Sequence, residues 1–118
     1  MAYLLYRHPD NPMPPLLIAS QGKETVGLCG WRQDEGIGVL GPVAVRADKR
    51  RWGVGSALVA QAIDEMRVEG VRSIEAVYRA GDPAGERLLH RYRFRYPENE
   101  PSDREAEWTR VIRVLKKS

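Results

Sequence analysis

A glycine-rich turn between an apolar strand and an amphipathic helix constrains this chain more than any other feature. The turn reads Arg50-Arg51-Trp52-Gly53-Val54-Gly55-Ser56-Ala57. In the helix that follows, apolar residues from Leu58 to Met66 recur at helical spacing, and Gly70 marks its end. The first amide groups of a helix have no partner within it, and they carry the positive end of its dipole. The turn therefore predicts a cradle for a phosphate group.

The segment before the turn, Ile37–Val45, is typical of a buried strand because its side chains leave no polar face. Pro42 removes one donor from the hydrogen-bond ladder of this strand, which indicates a bulge or an edge. Pairing with the next strand should therefore loosen between Gly41 and Val45. Strands that separate there would leave a slot.

The remaining pattern predicts an antiparallel meander followed by two helical connections. Strands Leu16–Ser20 and Thr25–Gln33, joined by the turn Gln21–Glu24, precede Ile37–Val45. A helical crossover should make the strand Ser73–Tyr78 parallel to its predecessor. Asp82 as N-cap and Pro83 at the first helical position predict a short helix around Ala84–Tyr92. The ends of the chain predict a first strand within Met1–Arg7, a loop over Tyr96–Arg104 and a last strand over Glu105–Lys116.

In this order of elements the chain resembles the GNAT superfamily of N-acetyltransferases, whose signature is [Gln/Arg]-x-x-Gly-x-[Gly/Ala]. The run from Arg50 to Gly55 fits it without a gap, and the resemblance extends from about Leu16 to the C-terminus. It implies an α/β fold in which helices flank a mixed, mostly antiparallel sheet with a central V-shaped splay, as one domain over residues 1–118. The two N-terminal helices that wall the acceptor site in the family are reduced or absent, because few residues precede Leu16 and His8–Pro15 is rich in proline.

The resemblance implies acetyl-CoA as acyl donor and direct attack of an amine on its thioester, with a general acid for the leaving thiolate. The backbone of Val43 to Val45 would hold the pantetheine arm, and the glycine turn would hold the pyrophosphate. Asp82 stands where members commonly carry an asparagine. The implied cofactor-binding residues are Val43, Ala44, Val45, Arg50, Arg51, Trp52, Gly53, Val54, Gly55, Ser56, Ala57 and Asp82.

The catalytic acid of the family has no direct counterpart. Leu89 stands where a tyrosine usually protonates the thiolate. His90 and Tyr92 are the nearest substitutes, although on a helix they point in other directions than Leu89. The alternative for His90 is a surface histidine among arginines.

The general base also departs from the family pattern. Val39 stands where some members place a glutamate, and Glu35 in the preceding turn is the candidate that could act through water. Its alternative is a solvated turn carboxylate. Glu75 either faces the slot or pairs with an arginine on the neighbouring strand.

A cluster of arginines follows the second predicted helix start. Arg87, Arg91, Arg93 and Arg95, with Arg79 nearby, would suit the 3′-phosphate of CoA or an acidic acceptor. A solvated helix face is the alternative.

Composition excludes several other classes. With 118 residues the chain suits one domain, and its net charge of +3 is below what a dedicated nucleic-acid binder carries. It has no apolar run long enough for a membrane span and no signal-peptide pattern. The single cysteine, Cys29, permits no internal disulfide and indicates a cytoplasmic protein. No metal site is predicted.

Two functions remain. The first is an acetyl-CoA-dependent N-acetyltransferase acting on an amine of a small molecule or a protein, and the second is a GNAT-fold module that binds acyl-CoA without turnover. A nucleic-acid binder that uses the arginines is a third, weaker class, and it would bind with a steep salt dependence. Since strands of this family commonly complete one another across subunits, we expect a homodimer.

Overall fold

The computed structural model describes residues 3–9, 14–97 and 107–115. A single sheet contains six strands in chain order, and all neighbouring strands are antiparallel except β4 and β5, which are parallel. This confirms the mixed, mostly antiparallel sheet. The elements are β1 (Leu4–Arg7), β2 (Leu16–Gln21), β3 (Glu24–Asp34), β4 (Ile37–Val45), a 3₁₀ helix (Ala47–Trp52), α1 (Val54–Val68), β5 (Ser73–Arg79), α2 (Pro83–Arg91) and β6 (Trp108–Val114).

The helix boundaries follow the sequence signals. Gly70 adopts a left-handed conformation with φ 82° just after α1, and the Val71 amide bonds back to the Met66 carbonyl at 3.1 Å. Asp82 caps α2 by accepting a hydrogen bond from the Gly85 amide, and Pro83 takes the first helical position. Residues next to each boundary therefore determine where α1 ends and where α2 begins.

Both helices pack on the same face of the sheet, which we call the covered face. A Cβ on Gly38 of β4 would lie 2.5 Å from the sulfur of Met66 in α1. On the same face, near the β6 edge of the sheet, the Arg113 guanidinium donates to the Tyr92 carbonyl at the end of α2. Wholly buried side chains between the sheet and the helices include Leu58, Met66, Ile74, Phe94 and Val111.

The opposite face, which we call the open face, carries no helix within the described residues. Only residues 8–15 connect β1 to β2, so the chain has no room there for the two wall helices of the family. The expectation that Ile37–Val45 is buried throughout is therefore wrong. Gly38 and Leu40 are buried under α1, whereas Ile37, Pro42 and Ala44 are exposed.

The predicted bulge and splay are present. Cys29 pairs with Val43 and Trp31 with Leu40, so two residues of β4 face the single Gly30 of β3. The pairing of β4 with β5 runs from Ile37 to Leu40 and stops there. Beyond the bulge at Gly41 and Pro42, the two strands continue without pairing. They separate in the expected V.

The two predicted terminal elements are only partly described. The last strand is seen as Trp108–Val114, whereas Glu107 and Leu115 at its two ends are described but are not part of the strand. The rest of its predicted range lies outside the described residues. The same is true of most of the loop predicted over Tyr96–Arg104. The first strand begins at Leu4, and the two residues before Tyr3 lie outside the described part.

Candidate functional site

Two connected grooves lie at the splayed end of the sheet. The larger, of about 570 Å³, runs between the end of β4 and α2 and reaches the start of α1; we call it the cradle groove. The smaller, of about 210 Å³, passes between the separated ends of β4 and β5; we call it the slot. Val43, Asp82, Gly85 and Leu88 line both of them. A long ligand can therefore lie in the cradle groove and extend one end into the slot.

The start of α1 supplies the cradle. Gly53 precedes the helix in a left-handed conformation with φ 75°, and no side chain caps the helix. The amide of Ala57 bonds to the Gly53 carbonyl at 3.0 Å, so Val54, Gly55 and Ser56 form the open N-terminal turn. That turn has no acidic side chain. Its amides and the helix dipole fit a phosphate group.

A tyrosine braces this turn against α2. The Tyr92 hydroxyl donates to the Ser56 carbonyl at 2.9 Å and lies 2.5 Å from Ser56 Oγ. Because the Tyr92 hydroxyl uses its proton in the bond to the Ser56 carbonyl, the Ser56 hydroxyl is the donor in the bond between the two hydroxyl groups. The two bonds hold the two walls of the cradle groove together.

Most of the predicted cofactor-binding residues meet in the cradle groove. Its lining includes Val43, Ala44, Val45, Arg50, Gly53, Gly55, Ser56 and Asp82. The Arg50 Nε also donates to the Val45 carbonyl at 3.5 Å, which holds the end of β4 near the turn.

The other predicted cofactor-binding residues contribute differently. Val54 is fully buried, so only its backbone can face a ligand. Trp52 is half-buried, and the Lys49 ammonium lies 3.8 Å from the centre of its ring. Ala57 is half-buried and is not among the residues that line the groove. For Arg51 the structure describes the backbone only.

The three predicted catalytic residues do not line either groove. The His90 ring packs edge-on against Tyr96 with 5.6 Å between ring centres, and its Nε2 is buried without a hydrogen-bond partner among the described residues. Tyr92 braces the cradle as described above. Glu35 lies in the β3–β4 turn, six residues before Gly41, which is about 20 Å along the strand. Their catalytic roles stay predictions that these positions do not support.

Three further residues named in the sequence analysis, Leu89, Glu75 and Cys29, have defined surroundings in the structure. Leu89 is buried and lines the slot, so the position of the family tyrosine does face this site. Glu75 forms an ion pair with Arg110 of the neighbouring strand, as its structural alternative predicted. Cys29 is buried under α1, and burial raises the pKa of its thiol to about 12, so the thiol is unreactive at neutral pH.

Several lining residues were not identified from the sequence. Leu88 lines both grooves, and Trp108 lines the slot where it reaches the open face. Arg79, which the sequence analysis named beside the arginine cluster, lines the slot as well. The spacing of Ala84, Leu88 and Arg91 places them on one side of α2, but the sequence carries no signal that this side faces β4. Trp108 comes to the slot only through the pairing of β6 with β5.

The described part of the chain meets neither the requirements of a membrane-spanning helix nor those of a metal site. Neither described helix is long and apolar enough to cross a membrane. No group of three or more metal-ligating side chains occurs among the described residues.

Solved structures with the same fold include several acyltransferases. An IAA acetyltransferase from Bacillus cereus ATCC 14579 has a TM-score of 0.79 at 15% identity, and the match covers 97% of this chain and 100% of that one. The PaiA N-acetyltransferase from Thermoplasma acidophilum, solved in complex with coenzyme A, has a TM-score of 0.74 at 11% identity, with coverage of 85% and 60%. A ribosomal-protein-alanine N-acetyltransferase from Brucella melitensis has a TM-score of 0.69 at 23% identity, with coverage of 86% and 68%.

The sequence itself matches a family model. The model is that of the acetyltransferase (GNAT) family, and it matches residues 2–108, which include the glycine turn, both helices and the first five strands. No curated protein sequence matches the chain. The protein therefore belongs to the GNAT family of acetyltransferases.

Proposed function

We propose that this protein is an N-acetyltransferase that transfers the acetyl group of acetyl-CoA to an amine by direct attack. The observation that carries the proposal is the junction of the two grooves. A phosphate cradle at one end continues past Val43 and Asp82 into a slot that passes between β4 and β5. Such a path suits a donor with phosphates at one end and a thioester at the other.

The chain offers a separate group for each part of the donor. The open turn of α1, together with Arg50, would hold the pyrophosphate. The unpaired backbone of β4 beyond Leu40 would bond the amides of the pantetheine arm in the manner of a neighbouring strand. Acetyl-CoA supplies the activated thioester when it is bound.

Within the slot, the chain supplies position and an apolar wall. Leu40, Ala76 and Leu89 are buried there and limit the access of water to the reacting carbonyl. Backbone amides at the bulge of β4 would polarise that carbonyl. Because Leu89 brings no hydroxyl, we propose that the leaving thiolate takes its proton from solvent, and that the attacking amine loses its proton to solvent. The amine would enter from the open face, where Trp108 and Arg79 line the slot.

The cradle is tested by Gly55→Val with Gly55→Ala as its control. A Cβ at Gly55 would lie 3.5 Å from side-chain atoms of both Leu88 and Val45, which is ordinary contact, so alanine should fit. The larger valine should fill the groove floor and weaken binding of acetyl-CoA by at least about tenfold. Calorimetric titration measures the affinity, and the melting temperature checks that the variant folds. Equal affinity of Gly55→Val and the wild type would exclude the cradle.

The second candidate function is a module that binds acyl-CoA without turnover. Leu89 at the position of the family tyrosine favours it. Release of free CoA in the presence of a panel of primary amines distinguishes the two functions. Tight binding of acetyl-CoA with no release above the amine-free rate would establish the binding module and exclude the enzyme.

We further propose a homodimer in which the open faces of two copies meet at β1 to β3, which leaves the slot between β4 and β5 free for the amine. Leu4, Tyr6 and Leu28 lie on this part of the open face with 39 to 71% exposure. Sedimentation equilibrium of the wild type and of the double variant Tyr6→Ser/Leu28→Ser tests this. A monomeric wild type would contradict it, and the double variant should dissociate.

A further inference from the structure

We propose that Arg87 and Arg91 bind the 3′-phosphate of CoA and thereby select CoA over donors that lack this phosphate. The inference rests on the cradle groove of the proposed function. Both arginines lie on α2, one helical turn apart, and both line the cradle groove across from Gly53 and Ser56. They would form a second phosphate site, on the wall opposite the first.

The structure separates the arginine cluster of the sequence into two groups. Arg95 is engaged by the main chain, because its guanidinium donates to the carbonyls of His90 and Phe94 at 3.1 and 2.9 Å. Arg93 lies beyond the end of α2 with φ 70° and does not line a groove. Arg87 and Arg91 line the cradle groove, whereas Arg93 and Arg95 do not.

No carboxylate neutralises these two side chains in the described part of the chain. The described ion pairs engage Arg7, Arg46, Arg79 and Arg110, and none of them includes Arg87 or Arg91. Like charges four residues apart on a helix repel each other. Both side chains are exposed at the groove. A bound dianion would relieve this repulsion, and the planar guanidinium matches two phosphate oxygens at once.

Two acids near α2 keep their charge but form no ion pair with either arginine. Asp82 also lines the groove, but its Oδ1 accepts from the Gly85 amide at the first turn of the helix. Glu86 accepts a hydrogen bond from the Tyr96 hydroxyl at 3.3 Å and does not line the groove. The charged residues that line the groove are Arg50, Asp82, Arg87 and Arg91, so its net charge is positive.

The position along the groove decides which phosphate they meet. Asp82, Gly85 and Leu88 line the slot as well as the cradle groove, whereas Arg87 and Arg91 line the cradle groove alone. The arginines therefore lie toward the nucleotide end of a donor whose thioester enters the slot. The pyrophosphate has its own donors in the open turn of α1. The phosphate left for the arginines is the one on the ribose.

Calorimetric titration with CoA and with 3′-dephospho-CoA tests the assignment. The wild type should bind CoA at least about tenfold more tightly than 3′-dephospho-CoA. In Arg87→Ala/Arg91→Ala this ratio should fall to within about twofold, because CoA affinity drops while the affinity for 3′-dephospho-CoA is nearly unchanged. The matched control is Arg67→Ala, which removes an exposed arginine from the last turn of α1 and should keep the wild-type ratio.

Each contrary result has a distinct meaning. An equal loss of affinity for both ligands would assign the arginines to the pyrophosphate and overturn the inference. An unchanged ratio in the double variant would show a solvated helix face and overturn it also. If the wild type bound neither ligand, the cradle itself would be excluded together with the inference. CoA binding without transfer to any amine would exclude only the proposed reaction, and the ratio of the two affinities would still decide this point.

Discussion

Both faces of the sheet carry apolar residues, yet helices cover only one of them within the described residues. On β5, Ile74 and Ala76 point under the helices and are 0 and 3% exposed, whereas Val77 between Ala76 and Tyr78 points outward and is 40% exposed. On β4, Leu40 is 2% exposed and Ile37 is 42% exposed. An apolar strand therefore shows that a face can be buried, and the presence of a covering layer decides whether it is.

The exposure of apolar residues on the open face also bears on function. The exposed apolar residues of the open face extend across the sheet, from β1 to β6: Leu4, Tyr6, Leu28, Ile37, Val77, Trp108 and Val114. The slot reaches this face beside Val77 and Trp108. Apolar patches of this kind on soluble proteins commonly mark interaction sites. The face that lacks the family's wall helices is therefore also the face from which an acceptor or a partner would approach.

The largest contrast between the faces should come from two aromatic residues. Phe94 is fully buried on the covered face, so Phe94→Ala should lower the free energy of unfolding by about 3–5 kcal/mol. Trp108 is 46% exposed on the open face, and Trp108→Ala should cost about 1 kcal/mol. Urea unfolding at low protein concentration measures both. Equal losses would show that the open face is as well covered in solution as the other face.

A smaller contrast should come from glycines. A Cβ at Gly38, on the covered face, would lie 2.5 Å from Met66 Sδ and 3.0 Å from a methyl of Val71, so Gly38→Ala should cost about 1–3 kcal/mol by overpacking. A Cβ at Gly30, on the open face, would meet nothing nearer than the Pro15 carbonyl at 3.6 Å, so Gly30→Ala should change stability by less than about 0.5 kcal/mol. Thermal unfolding of both variants is the measurement. A Gly38→Ala variant as stable as Gly30→Ala would mean that Met66 moves aside freely.

Local features of the sequence predicted the cradle and the splay. The glycine turn fixes the start of α1 through its own backbone, and Pro42 disrupts a ladder within its own strand, so neither needs distant contacts. The catalytic candidate Glu35 shows the opposite case. It is near β4 in sequence, but an extended strand carries the chain away from the turn, and the groove lies at the other end.

The apolar pattern of a strand also could not predict which of its two sides is covered by helices. The residues of Ile37–Val45 are apolar on both sides of the strand, and nothing in them tells one covered face from two. Arg87 and Arg91 were part of a four-arginine cluster whose members could be separated only by the packing of α2 against β4. These properties depend on contacts between elements, which periodicity does not encode.

The smallest expected effect concerns an ion pair at the edge of the covered face. Glu65 of α1 is 16% exposed and accepts hydrogen bonds from Arg7 at 2.8 Å and from the Trp31 indole at 2.9 Å. Burial raises the pKa of Glu65, but these bonds, one from Gln61 and the charge of Arg7 outweigh it and hold the pKa below its ordinary value of 4.5. Since the folded-state pKa is lower than the unfolded-state pKa, the carboxylate stabilises the fold above pH 4.5 and loses this contribution as the pH falls through the folded-state pKa.

Arg7→Gln should therefore lower the free energy of unfolding by about 0.2–1 kcal/mol at neutral pH, and the difference from the wild type should disappear in acid. Arg32→Gln removes the same charge on the open face and should show neither the loss nor its pH dependence. Urea unfolding across this pH range measures all three proteins, and a loss for Arg7→Gln that persisted in acid would show that packing of the Arg7 stem, rather than its charge, ties β1 to the covered face.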